Sequence, residues 1–161
     1  MKAIQIMEHG GPEAMKYQDV ADLSPGEGQA LVEVQAVGVN FTDVYNRMGA
    51  SPAQTLPRII GVEGAGTVRS VGSGVTQVKE GDVVAYSGTP GSYAEQASVP
   101  ADRLIKMPDA FDANDGAAPM LDRKSTRMNF IHPLISYAVF FLQHNTYRAR
   151  QNPHRRRETT T

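Results

Sequence analysis

The stretch GVEGAGTVRSVGSGV, residues 61–75, holds the residue types that most invite a cofactor reading, because a Gly-x-Gly after a strand can cradle a pyrophosphate. The spacing argues against it. Counting from Gly64 and Gly66, the third glycine position of G-x-G-x-x-G holds Arg69, and the pattern that follows is that of a strand rather than a helix. These glycines are expected instead at tight turns and strand crossings, where a missing Cβ permits positive φ or close approach of backbones. Thiolate chemistry is excluded by composition: the chain has no cysteine, so it forms no disulfide and binds no zinc through thiolates.

A third chemistry is carried by charge. Net charge is −1 over 161 residues, yet residues 1–121 carry 8 Lys/Arg against 15 Asp/Glu and residues 122–161 carry 8 against 2. Two compositions are joined near Leu121, an acidic domain-like part and a basic tail. The length suits one domain with a sizeable core plus that tail. The start MKAIQIMEHGG lacks a basic segment followed by an apolar run, so a cytoplasmic protein is expected.

The elements that must position any site in the first part are mostly strands. KAIQI and MKYQDV read as a hairpin around HGGPE. In ALVEVQAVGV, Ala30, Val32, Val34 and Ala36 share one face, the mark of a strand with one buried side. NFTDVYNRMG changes period: Phe41, Val44, Tyr45 and Met48 fall at i, i+3, i+4 and i+7, which predicts a helix burying that face, with Asn40 as N-cap, Asp43 in the first turn and Gly49 at the C-terminal stop. Strands resume in GVEGAGTVRSVG, GDVVAYSG and GSYAEQASVP, with a turn at Gly81-Asp82, and FDANDGAAPML begins another helix near Asp112 or Asn114. Six or seven short strands with little helix predict a mainly β fold, a small barrel or sandwich.

AVGVNFTDVYNRMG, PRIIGVEGAGTVRSVGSGVTQVKEGDVV and GSYAEQASVPADRLIKMPD, in this order and spacing, resemble the N-terminal domain of medium-chain dehydrogenase/reductases, in the zinc-free NADPH:quinone oxidoreductase (zeta-crystallin type) branch. The resemblance covers about residues 1–121 and implies a GroES-like, partly open β-barrel with one or two short helices. It further implies hydride transfer from NADPH to a quinone or enone, with no metal, no nucleic acid and no membrane as partners and a homodimer at full length. Zinc-dependent members have Cys and His where this chain has Asn40 and Val62, neither of which supplies the ligand that catalytic zinc needs, and the span from Ser87 to Val99 has no cysteine-rich zinc lobe.

Carried over residue by residue, the resemblance implies that Asn40 orients the cofactor or the carbonyl and that Asp43 and Tyr45 build a polar wall. It places Arg47 near cofactor phosphate or substrate, and Glu63 as a support from below. Catalysis would thus rest on Asn40, Asp43 and Tyr45, and cofactor contact on Asn40, Tyr45, Arg47 and Glu63. Plainer roles stand beside each of these. Asn40 is also a helix cap, Tyr45 a packing residue, Asp43 a favourable charge at a helix N-terminus, Arg47 a solvated surface charge, and Glu63 a structural acid paired inside the barrel. One departure lies within the domain: where the family often has Gly-x-Tyr-Pro after the helix, this chain has GASP, with Ser51 in place of the tyrosine.

After AAPML the family continues into a Rossmann domain, whereas this chain reads DRKSTRMNFIH. Asp122 to His132 resemble the translation of a common sequencing adapter, differing at Met128, Phe130 and Ile131. Residues 122–161 are therefore expected to be a non-native tail, and the Rossmann half and its dinucleotide loop to be missing. The chain by itself is expected to bind NADPH poorly and to expose barrel surface that a second domain would cover. The alternative is a stand-alone GroES-like binding module whose tail, with Arg148, Arg150 and Arg155 to Arg157, binds nucleic acid or anionic lipid. Its apolar run LISYAVFFL is well short of the roughly 20 residues that span a bilayer as a helix.

Overall fold

The computed structural model describes residues 1–50, 55–108 and 112–117, so the expectations for Ser51 and for the tail from Asp122 lie outside the described residues. The fold is mainly β, with strands β1 (Lys2–Ile6), β2 (Met15–Asp19), β3 (Gln29–Val37), β4 (Arg58–Ile59), β5 (Glu63–Val71), β6 (Val83–Ser87), β7 (Gln96–Pro100) and β8 (Ile105–Lys106), and helices α1 (Phe41–Met48) and α2 (Ala113–Ala117). Sequence periodicity gives six of the eight strands. It misses β4 and β8, two residues each, because alternation cannot register over so short a run.

The strands form two sheets, β2-β1-β4 and β7-β3-β5-β6-β8, with every pairing antiparallel. A bridge between Ala3 and Ala94 ties the sheets together and leaves the partly open arrangement expected from the resemblance. One face of the larger sheet packs Val32, Val68, Val84, Tyr86 and Val99 into the main core. The opposite face carries small residues in register: Ala36 pairs with Ala65, and Ala65 with Ala85. That row of methyls lets α2 lie close through Ala113 and Ala117. Asp112 starts α2 as expected, its Oδ1 accepting the amides of Asn114 at 2.8 Å and Asp115 at 3.0 Å.

The glycines of residues 61–75 serve backbone proximity. Gly66 sits where β3 and β5 slip register between Val34 and Ala36, and a Cβ there would strike the Glu33 carbonyl. Gly61 has φ of +88°, and a Cβ on it would meet Ser92 and the Tyr93 ring. This glycine lets the segment before β7 close onto the start of β5, with Gly91 N–H donating to Gly61 O at 2.9 Å and Tyr93 N–H to Ile60 O at 3.0 Å.

The termini of α1 fall where the sequence puts them: Asn40 is the N-cap, and Gly49 closes the helix in the left-handed region at φ 77°. Its orientation is the reverse of the expectation. Asp43, Asn46 and Arg47 form the buried face, while Phe41 is 82 % exposed, Met48 60 % and Tyr45 56 %. Arg47 is correspondingly no solvated surface charge. Its Nη1 donates to Gly10 O at 2.6 Å, and its carbonyl accepts from Gly10 N–H at 3.1 Å, so it clamps the 7–11 loop onto the helix. Polar partners on the barrel side outweigh the apolar period, since an arginine buried with its hydrogen bonds made avoids the cost of desolvation without compensation.

Candidate functional site

The start of α1, the start of β5 and the segment before β7 bring four polar side chains together. Asn40 Nδ2 donates to Glu63 Oε2 at 2.9 Å. Asp43 Oδ2 accepts from the Asn40 amide at 2.9 Å and from the Tyr93 hydroxyl at 2.8 Å. Ser92 Oγ in turn accepts the Glu63 amide at 3.3 Å. The chain Glu63–Asn40–Asp43–Tyr93 thus links residues up to 53 positions apart into one network, with both carboxylates buried.

Local sequence explains each placement. Gly38 has no side chain where the Glu63 carboxylate lies, so β3 passes directly over it. The Gly38 amide donates to the Glu63 carbonyl at 3.2 Å, which fixes the level of β5 relative to the turn into α1. Asp43 at the third helical position reaches back to the N-cap amide, one arm of a capping box, and lies where a negative charge meets the positive end of the helix. Burial raises the Tyr93 phenol above its ordinary range, and the Asp43 carboxylate to which it donates adds to the rise. The phenol therefore remains a donor at neutral pH and cannot act as a base there.

One atom of this network is unsatisfied. Asp43 Oδ1 is buried and has no hydrogen-bond partner among the described residues. Asn40 is held through both its amide and its side chain, leaving its carboxamide oxygen in a fixed direction. Arg47 stands apart, committed to Gly10. Tyr45 lies on the exposed side of α1 with Phe41 and Met48, outside the hydrogen-bonded cluster.

Of the residues singled out from sequence, the structure therefore joins Asn40, Asp43 and Glu63 directly and does not bring Tyr45 or Arg47 into their network. Sequence reasoning missed Tyr93 and Ser92. Their signal was present but local: two hydroxyl side chains directly after Gly91, on a connection between strands, where a rigid scaffold commonly displays polar groups.

The chain is similar in sequence and fold to known proteins. Residues 26–109 match the alcohol dehydrogenase GroES-like domain. The quinone oxidoreductase of Pseudomonas aeruginosa is 42 % identical over 127 residues, covering 78 % of this chain and 39 % of the relative. Among solved structures, the quinone oxidoreductase of Pseudomonas syringae pv. tomato DC3000 superposes with a TM-score of 0.75 at 41 % identity, covering 78 % of this chain and 39 % of that one. The Escherichia coli quinone oxidoreductase complexed with NADPH gives 0.72 at 35 % identity, covering 78 % and 41 %. This chain spans about two fifths of the length of these relatives. On its matched domain and its sheet topology, the chain belongs to the alcohol dehydrogenase GroES-like domain family.

Proposed function

We propose that residues 1–121 form the barrel half of a reductase that transfers hydride from NADPH to a quinone or another conjugated carbonyl without zinc. The observation that carries this is the fixed Asn40–Glu63 and Asp43–Tyr93 network at the start of a helix whose outer face, Phe41, Tyr45 and Met48, is apolar and exposed. Pre-organised polar groups that fix orientation are what a small-molecule site requires, and the exposed apolar face is surface for a second domain to cover. Relatives named for quinone reduction, one of them bound to NADPH, support the same reading.

The residues fit one wall of a nicotinamide site. When bound, NADPH would supply the hydride, and this chain would supply position and polarity. Asn40 would orient the carboxamide or the substrate carbonyl, since Glu63 and Asp43 remove its freedom to rotate. Arg47, engaged by Gly10, would act by holding the 7–11 loop rather than by meeting a phosphate. The donor set argues against zinc: the Asn40 amide nitrogen is already donating, and Val62 offers no lone pair.

Within this proposal the nucleotide-binding half lies outside the chain, residues 122–161 are non-native, and the complete enzyme is a cytoplasmic homodimer. The chain as it stands is expected to show no saturable quenching when NADPH is titrated at micromolar concentrations. Micromolar affinity would overturn the division of labour between the halves. An amplicon primed well downstream of the Leu121–Asp122 junction is expected to read a helix, a strand and a glycine-rich turn in frame after Leu121. Return of the same basic tail and a stop would instead favour the binding-module alternative.

A further inference from the structure

On the other side of the segment before β7 lies a second concavity. A cavity of about 550 Å³ opens between the two sheets, with Leu23, Pro57 and Pro90 as apolar wall and Thr55, Arg58 and Ser98 as polar groups. Its size is within the range of small-molecule sites. It is separate from the Asn40–Glu63 network: Ser92 and Tyr93 face that network, while Pro90 and Gly91 line this cavity.

The polar groups differ in what they have left to give. Ser98 Oγ donates to Gln29 Oε1 at 3.0 Å, and the Gly91 amide is spent on Gly61 O at 2.9 Å. Arg58 is half-buried on β4, with its backbone held in register against Ile6 of β1. Among the described residues its guanidinium has no hydrogen bond or ion pair, unlike Arg47 with Gly10 and Arg69 with Glu33. No Asp or Glu is among the described residues lining the cavity. A half-buried arginine whose five N–H donors are left unfilled by the described residues, with no described acid in the lining, matches a planar carboxylate, which accepts two parallel bonds from it. The prolines and Leu23 would receive an apolar body.

We propose that this cavity binds a small carboxylate bearing an apolar body, with the carboxylate on Arg58. Benzoate is the probe and benzamide its neutral isostere, each titrated into the ¹⁵N-labelled full chain while amide shifts are followed. Benzoate is expected to saturate with a dissociation constant on the order of 1 mM, as suits a ligand of its size. The shifts should centre on Ile59, Gly91 and Ser98, leaving the Asn40 and Glu63 amides in place. Benzamide should bind at least about tenfold more weakly, because it loses the charge-assisted pair. Arg58→Gln is expected to abolish saturation and Arg58→Lys to weaken it. Equal binding of the two probes, unchanged benzoate binding by Arg58→Gln, or shifts centred on Asn40 and Glu63 would each overturn the proposal. Should Arg58→Gln fail to fold, the ratio of benzoate to benzamide affinity in the unaltered chain decides alone.

Discussion

Asp43→Ala is expected to destabilise the protein by about 3 kcal/mol, a large share of the few kcal/mol that separate folded from unfolded domains. Two losses combine. The Tyr93 hydroxyl, which donates to Asp43 Oδ2 at 2.8 Å, is left partly buried and unpaired, which costs about 1–3 kcal/mol. The Asn40 amide loses its acceptor at the helix start, a capping loss of about 1 kcal/mol. Removing the unpaired Oδ1 returns some of this, since the carboxylate no longer has to be desolvated. Asp43→Asn keeps one acceptor oxygen for both donors and should cost about 1 kcal/mol. Urea denaturation of both variants, with the m-value checked for constancy, measures these costs. In a double-mutant cycle with Tyr93→Phe, Asp43→Asn should show a coupling above about 0.5 kcal/mol. If Asp43→Ala melts at the same urea concentration as the unaltered chain, the network does not hold the site, and the positioning assigned to Asn40 loses its physical basis.

How far such a network can be read from sequence depends on the range of its contacts. The hairpin of β1 and β2 and the shared face of Ala30, Val32 and Val34 in β3 are written in adjacent residues, as are the N-cap and stop of α1, and the structure has them at the expected places; Ala36, expected on that same face, is turned to the other by the register shift after Val34. The buried face of α1 is different. Its apolar residues are spaced for a core, but its burial is decided by Gly10 and Tyr93, 37 and 50 residues away, which offer Arg47 and Asp43 hydrogen bonds. Periodicity carries no information on partners at that distance. Glu63 is an intermediate case. An acid within a glycine-rich strand had to be buried with a partner, yet only the crossing of β3 at Gly38 reveals that the partner is Asn40. The exposed Phe41, Tyr45 and Met48 then make sense of the spacing: the apolar stripe is real, but it faces away from the barrel.

Tyr86 supplies the other large effect, this time as a gain. Its side chain is fully buried in the main core, and its hydroxyl has no hydrogen-bond partner among the described residues, occupying space that Gly64 leaves by lacking a Cβ. A buried hydroxyl without a partner costs about 1–3 kcal/mol, and its removal leaves a void of only one oxygen. Tyr86→Phe is therefore expected to stabilise the protein by about 1 kcal/mol at pH 7. The difference should widen in alkali. Burial raises the Tyr86 phenol above the value of 10.0 it has when unfolded, so above that pH the unfolded chain releases a proton that the folded chain retains. Stability from this group is thus complete below pH 10 and falls as pH rises past it, by about 1.4 kcal/mol per pH unit until the folded phenol also ionises. Tyr93 contributes in the same direction, but less, because water reaches part of its ring. Near pH 11.5 the advantage of Tyr86→Phe should reach about 3 kcal/mol, read from urea midpoints of the two proteins at pH 7 and in the alkaline range. A constant difference across that range would mean that Tyr86 ionises freely in the folded state. A destabilised variant at pH 7 would mean that its hydroxyl has a partner after all, and the packing of β5 against β6 around Gly64 would need to be redrawn.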